Sequence, residues 1–186
     1  LDLPDLAPRV RAWIERQTLA CHVLLAGGGA WAETIRRLDP IHHLPADVSH
    51  HLALQSMTLS YELMGHLFPK VPRVQQLADL RGSREPSLLL FNAHHFVTRE
   101  EPLYPGTNLP ASWEATSDSI AGRLAVVLGA TELVLLKSTL PTGNALTAWY
   151  QAGAIDAFLS RLAHELPPVR CVNLRSKNFD EVSLAN

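Results

Sequence analysis

Lysine is the scarcest charged residue of this chain: Lys70, Lys137 and Lys177 are all it has. No stretch is a run of Lys and Arg, and the formal net charge is -2. Nucleic acid is therefore excluded as the main partner, because a phosphate backbone demands clustered cations. Cysteine is equally thin. Cys21 and Cys171 each open a strand-like run, and two isolated thiols make neither a disulfide framework nor a metal box. They point to a reducing, cytoplasmic compartment. No signal peptide is visible and no apolar stretch is long enough to span a membrane. Internal repeats and low-complexity segments are missing too. The first residues, "LDLPDLAP", lack an initiator Met and already lie near a helix start, which points to an upstream piece.

What is present is apolar material in quantity. The 186 residues are 47% hydrophobic, enough for one full core and a single domain over 1–186. Helix-like and strand-like stretches alternate. Residues 5–17 place Leu6, Val10, Trp13 and Ile14 at helical spacing, with Asp5 as the cap. "HVLLA" (22–26) reads as a buried strand. Residues 30–38 read as a helix with Trp31, Ile35 and Leu38 inward, ended by Pro40.

Residues 46–68 form a long helix with two apolar faces. Leu52, Leu59, Leu63 and Leu67 make one; Leu54, Met57, Tyr61, Met64 and Phe68 make the other. One sheet cannot cover both, so either one face meets a partner subunit or the helix lies buried in its own domain. "SLLLF" (87–91) is a second strand, and 99–113 is a long loop of the kind that carries function. Residues 114–128 are a helix closed by Gly129, and 131–137 a third strand. Residues 144–150 and 154–165 are helical, and 169–174 a fourth strand. This alternation predicts an α/β fold with a mostly parallel sheet covered on both sides.

Three places could carry chemistry. Gly27, Gly28 and Gly29 follow a strand and precede a helix. Open N–H groups there favour an anion, and glycine removes the side chain that would block it. The alternative is a tight turn with no ligand. The triplet is neither the lysine-bearing P-loop nor GxGxxG. In "TSDSIA", Thr116, Ser117 and Ser119 can cap a helix or bind a ligand. Asp118 can serve the helix dipole, or it can orient lysines or a metal ion at the ligand edge of the sheet. Lys137 ends a strand, where open α/β sheets bind ligands, or is a solvated strand end. Three histidine pairs, His42-His43, His50-His51 and His94-His95, suggest metal. Adjacent residues point apart, however, so no metal site is assigned, and His51 and His94 are candidates for substrate contact.

"LLAGGGAWAETI", the 46–68 helix and "SWEATSDSIAGRLAVVLGATELVLLKS" come in the order found in the amino acid kinase superfamily, which includes bacterial UMP kinases and acetylglutamate kinases. The chain resembles that superfamily over residues 23–138. It is most similar to short kinase-like proteins linked to methanofuran-type cofactor synthesis. Molybdenum storage proteins share the fold. The resemblance implies a three-layer αβα sandwich with a mostly parallel central sheet, and a kinase moving the γ-phosphoryl of ATP to a small acceptor, a phosphate ester or a carboxylate.

ATP and Mg²⁺ are the cofactors so implied. Gly27, Gly28 and Gly29 face the acceptor and phosphoryl, with His51, His94, Thr116 and Ser117 as substrate contacts. Asp118 and Lys137 are the catalytic pair, and Lys137, Ser138 and Gly143 lie near the nucleotide. The long helix implies a homodimer or a higher homo-oligomer. The family's first strand and its Lys-x-Gly-Gly turn are expected upstream of Leu1, and the family's later "DG" and second lysine are missing from "STLPTGNALTAWYQAG". Lys137 would then be helped by Mg²⁺ or by arginines such as Arg99 and Arg123. That thin lysine count leaves a second expectation, a catalytically inactive protein of the same fold that binds a nucleotide or an oxyanion. A histidine-based metal or oxyanion store is the third.

Overall fold

In the computed structural model, residues 1–82 and 86–185 are described. The fold is mixed α/β, and the chain divides into two compact units, 19–117 and 1–18 with 118–186.

Within 19–117, strand β1 (Cys21–Leu25) leads through the glycine turn into helix α2 (Gly29–His42) and then into helix α3 (Ala46–Leu67). Helix α1 (Leu6–Ile14) belongs to the other unit. Strand β2 (Arg73–Val74), helix α4 (Leu77–Gly82) and strand β3 (Ser87–Phe91) follow. The sheet order is β1-β3-β2, all parallel, with Leu24 paired to Leu90 and Leu90 to Arg73. After β3 come the short α5 (Ala93–His95), a π turn (Phe96–Glu100), a 3-10 turn (Glu101–Leu103) and irregular chain to Thr116.

The core of this unit forms where α3 lays Leu54, Met57, Tyr61, Met64 and Phe68 inward. That settles which face of the long helix is covered. Leu52, Leu59 and Leu63 on the other face stay exposed in this chain, with Val48 beside them.

Helix α2 departs from its reading in two ways. Pro40 does not end it. A proline near the C-terminus costs one backbone bond, and the helix runs on to His42, where His43 turns left-handed at φ 52°. Trp31, Ile35 and Leu38 do not point into a core, for α2 has no buried residue and Trp31 is 52% exposed. What fixes the helix is its packing along α3, its N-terminal turn and a loop tryptophan, the last two described below.

In the second unit, helix α6 (Ser117–Leu128, Ser117 being its link to the first unit) begins three residues later than read. Strand β4 (Leu133–Lys137), helix α7 (Leu146–Gln151), a 3-10 turn (Leu159–Leu162) and strands β5 (Val169–Asn173) and β6 (Glu181–Ser183) complete it. β4 and β5 are parallel; β6 joins β5 antiparallel. Parallel pairing is thus present in both units, in two three-stranded sheets.

Gly129 closes α6 as expected. It sits at φ 62°, and the next N–H reaches back from Ala130 to the Ala125 carbonyl at 2.9 Å. The helix expected over 154–165 is only a 3-10 turn, because the Asp156 side chain takes the Leu159 N–H at 2.9 Å and starts a tight turn there. Asp5 makes no cap bond and instead pairs with Arg9 at 2.7 Å. Among the described residues no helix is long and apolar enough to cross a membrane.

Candidate functional site

Lys137 is the last residue of β4, and Asp118 lies in the first turn of α6. The lysine Nζ sits 2.8 Å from both carboxylate oxygens, so it donates to both. The two side chains are 22% and 14% exposed, partly out of water, where a charge-assisted bond is stronger than at a surface. Burial pushes the Asp118 carboxyl up from its ordinary range, Lys137 pulls it back, and the Asp156 charge pushes up again. The carboxylate is held in place by the lysine rather than by solvent.

Around the pair the packing is tight. Asp156 accepts from the Ser119 N–H at 3.0 Å and from the Ser119 hydroxyl, as well as from Leu159. One carboxylate therefore holds the start of α6 and the start of the 3-10 turn. Cys171 is buried on β5, and desolvation pushes its thiol up to about 11; Lys137 draws it down and Asp118 lifts it further. The thiol is thus within electrostatic reach of the pair but held as the unreactive acid form. Arg123, expected to assist with phosphate, is a core residue: it is fully buried and paired with Glu165 at 3.7 Å. Burial of the α6 face takes it away from any ligand edge. Arg99 is exposed on the π turn of the other unit.

The residues after β4 are less organised for a ligand. Ser138 is exposed on the bend that follows Lys137. Gly143 turns at φ 78°, and its carbonyl accepts from the Trp149 indole N–H at 3.0 Å. That bond gives Gly143 a structural task in seating α7.

In the first unit, each member of the glycine turn has its own physical reason. A Cβ on Gly27 would come within 2.8 Å of the Ser117 hydroxyl oxygen. On Gly28 it would collide with Ser56 of α3 and with Ala32. Gly29 sits at φ 54°, the left-handed region that side chains disfavour. The triplet is therefore required as a packing joint between β1, α2 and α3. It also leaves Gly29 and Ala30 exposed at a helix start that has no side-chain cap, where the first N–H groups have no partner within the helix. Thr116 and Ser117 are half-buried just ahead of Asp118.

The long loop is tied down rather than loose. The Trp113 indole N–H donates to Asp39 at 2.7 Å, and the Arg36 guanidinium lies 4.7 Å from the ring centre. Both partners are on α2. The buried Glu101 side chain takes the Leu109 N–H at 3.3 Å.

His51 and His94 do come together, with ring centres 6.0 Å apart in an edge-to-face arrangement. Gln55, which sequence reading missed, places its amide nitrogen 3.3 Å from His94 Nε2. Its only signal was position, one turn after His51 on the same helix face. Among the described residues no group of three or more His, Cys, Asp or Glu is arranged to hold a metal ion.

The candidate residues thus fall into three clusters: Asp118 with Lys137, the glycine turn with Ser117 and Ser56, and His51 with His94 and Gln55. No family model matches the chain, and no curated protein matches it in sequence.

Proposed function

We propose that this chain is a small-molecule kinase of the amino acid kinase superfamily, with the αβα sandwich of that family, moving the γ-phosphoryl of ATP to a phosphate ester or carboxylate. The observation that carries this reading is the Asp118–Lys137 pair: the one lysine at a strand's carboxyl end is oriented by a carboxylate at 2.8 Å. Phosphoryl transfer asks little covalent help of a protein. It asks for positive charge fixed in position before the reaction. A lysine held by a carboxylate from a neighbouring helix start meets that demand, because its direction is set without substrate.

Lys137 contacts the phosphates of ATP, with Ser138 and Gly143 on the chain that follows it. Asp118 holds the lysine and is the carboxylate for Mg²⁺. That ion keeps most of its waters and takes only one or two protein carboxylates beside substrate phosphates, so a single partly exposed Asp118 fits it. Bound ATP-Mg supplies the phosphoryl group and neutralises its charge. The N–H groups at the exposed Gly29, with Gly27 and Gly28, hold oxygens of the acceptor or of the phosphoryl, and His51, His94, Thr116 and Ser117 are acceptor contacts. The exposed row of Val48, Leu52, Leu59 and Leu63 on α3 favours a homodimer or higher homo-oligomer. The free Cys21 and Cys171 favour the cytoplasm.

The test is ATP turnover against phosphorylated and carboxylated metabolites. Lys137→Ala is expected to lower kcat about 10²–10³-fold, by analogy with loss of one oxyanion donor. Asp118→Asn is expected to fall between wild type and Lys137→Ala. Turnover unchanged in both variants removes these roles.

A second reading, an inactive nucleotide- or oxyanion-binding protein of the same fold, is favoured by the glycine turn, where Ser117 and Ser56 already fill the space beside Gly27 and Gly28. Calorimetric ATP binding with no transfer to any acceptor supports it.

A further inference from the structure

At the end of β3 the chain turns on Asn92. Its side-chain oxygen accepts from the His94 N–H at 3.0 Å and from the Thr58 hydroxyl at 3.4 Å. One oxygen thus ties the turn that carries His94 to Thr58 of α3, and His94 stands beside His51 and Gln55 of that helix. His95 follows on the same short turn, and His50 on α3 hydrogen-bonds the backbone of Ser112. Two imidazoles and one amide therefore meet where α3 and the turn after β3 pack, with His50 and His95 near enough to act on their neighbours electrostatically, all within 19–117.

A nearby carboxylate would favour the protonated form of such rings. Here, among the described residues, none acts on His50 or His94. Burial, the first cause, holds His94 below the usual histidine range, and His51 and His95 add to it; burial and His51 do the same to His50. These rings are therefore neutral near neutrality, and their N–H groups lack a counter-charge. Gln55 carries both a donor and an acceptor. By turning its amide it can face His94 Nε2 whether that nitrogen is bare or protonated. The arrangement tolerates both charge states without moving backbone.

We propose that His51, Gln55 and His94 form an anion site that takes a phosphate- or carboxylate-bearing ligand together with one proton. It rests on the reading of His51 and His94 as acceptor contacts, and it adds the charge of the acceptor and the proton that accompanies it. The anion supplies the counter-charge that the fold withholds. His94 then becomes a doubly donating imidazolium, Gln55 presents its oxygen to Nε2–H, and the proton comes from solvent.

The sign of the proton linkage distinguishes this site from its main rival. An anion that drives proton uptake binds about tenfold more weakly for each pH unit above the histidine midpoint. A transition metal needs bare imidazole nitrogen, so its binding displaces protons and tightens as pH rises. Histidine ring resonances of the whole chain, without ATP, report this directly. Sulfate is the tetrahedral probe, chosen because it holds no titrating proton near neutrality; acetate is the carboxylate probe.

Either probe is expected to raise the His94 midpoint, and that shift is expected to shrink in His51→Gln. The exposed His42 and His66 rings should stay unmoved. A response to sulfate alone assigns a phosphate-bearing ligand, and to acetate alone a carboxylate. A His94 midpoint that moves no more than that of His66 overturns the proposal. So does Zn²⁺ binding that tightens with pH while both anions are inert. Anion-linked proton uptake in a protein that transfers no phosphoryl group keeps the site and removes the kinase. Transfer at full rate in His94→Gln, with no proton uptake in the wild type, keeps the kinase and removes the site.

Discussion

Asp118 and Lys137 carry their own neutralising partner; His51 and His94 do not. Each pair joins a residue at or just beyond the carboxyl end of a strand, Lys137 or His94, to one on a helix; Asp118 and Lys137 are largely withdrawn from water, whereas His94 is half-buried and His51 exposed. In the first, the fold spends two opposite charges on each other at 2.8 Å. In the second, two imidazoles face one another at 6.0 Å, and burial holds His94 toward its neutral form. A self-neutralised pair is rigid and costly to break. A cluster of neutral bases is soft toward protons and ready for an anion. The two therefore answer mutation and acid in opposite senses.

The largest expected effect comes from breaking the first pair. Lys137→Ala leaves the Asp118 carboxylate partly buried without its partner, and is expected to lower stability by about 1–3 kcal/mol in urea unfolding at pH 7. The folded-state pKa of Asp118 is already raised by burial, and loss of the lysine raises it further. The penalty for ionisation then exists above that pKa and fades as pH falls through it. The gap between variant and wild type should accordingly close toward pH 4. A gap constant from pH 7 to pH 4 would mean that the carboxylate does not carry the cost.

A smaller effect separates the cluster. His94 and His50 have folded-state pKa values below the ordinary 6.5. The folded state thus binds their protons more weakly than the unfolded chain does. Their contribution is fully present above pH 6.5 and is lost as pH falls through the window between the two pKa values. His94→Gln should change stability at pH 8 by no more than about 0.5 kcal/mol and flatten the loss below pH 6.5. An acid limb as steep as the wild type's would assign that loss to other groups.

The smallest is a chemical check on the two environments. Cys21 is exposed on β1, whereas Cys171 is buried beside the charged pair with its thiol pushed up to about 11. A thiol reagent at pH 8 should label one cysteine in the folded protein and two in urea. Rapid labelling of both without urea would show that the interior around Asp118 and Lys137 opens readily.

Much of the local order was readable because single residues enforce it. Gly129 stops a helix by its left-handed turn, Lys137 follows four apolar strand residues, and the 46–68 helix shows its two faces in its spacing. What could not be read depends on partners far along the chain. Nothing local says that Asp156 will hold Ser119, or that Arg123 will face Glu165 in a core. Strands β2 and β6, of two and three residues, are defined by the strand beside them rather than by their own pattern. Helix α2 misled because Trp31, Ile35 and Leu38 have core-like spacing on a helix that has no core to face. In the candidate sites, charge-bearing residues were legible from type and position, whereas Gln55 and Ser56 acquire meaning only through what they touch.

The fastening of α2 has a consequence for how the first unit opens. A helix of 14 residues with none buried adds little to global stability. It is kept by its packing along α3, tightest where Gly28 meets Ser56, and by Trp113 on Asp39 and Arg36 farther along. Release of that indole would free the helix and the loop together, as one cooperative opening unit that leaves α3 and the sheet intact. Amide exchange in α2 would then follow the energy of this small release rather than that of unfolding, and the loop would keep the same time as the helix it holds.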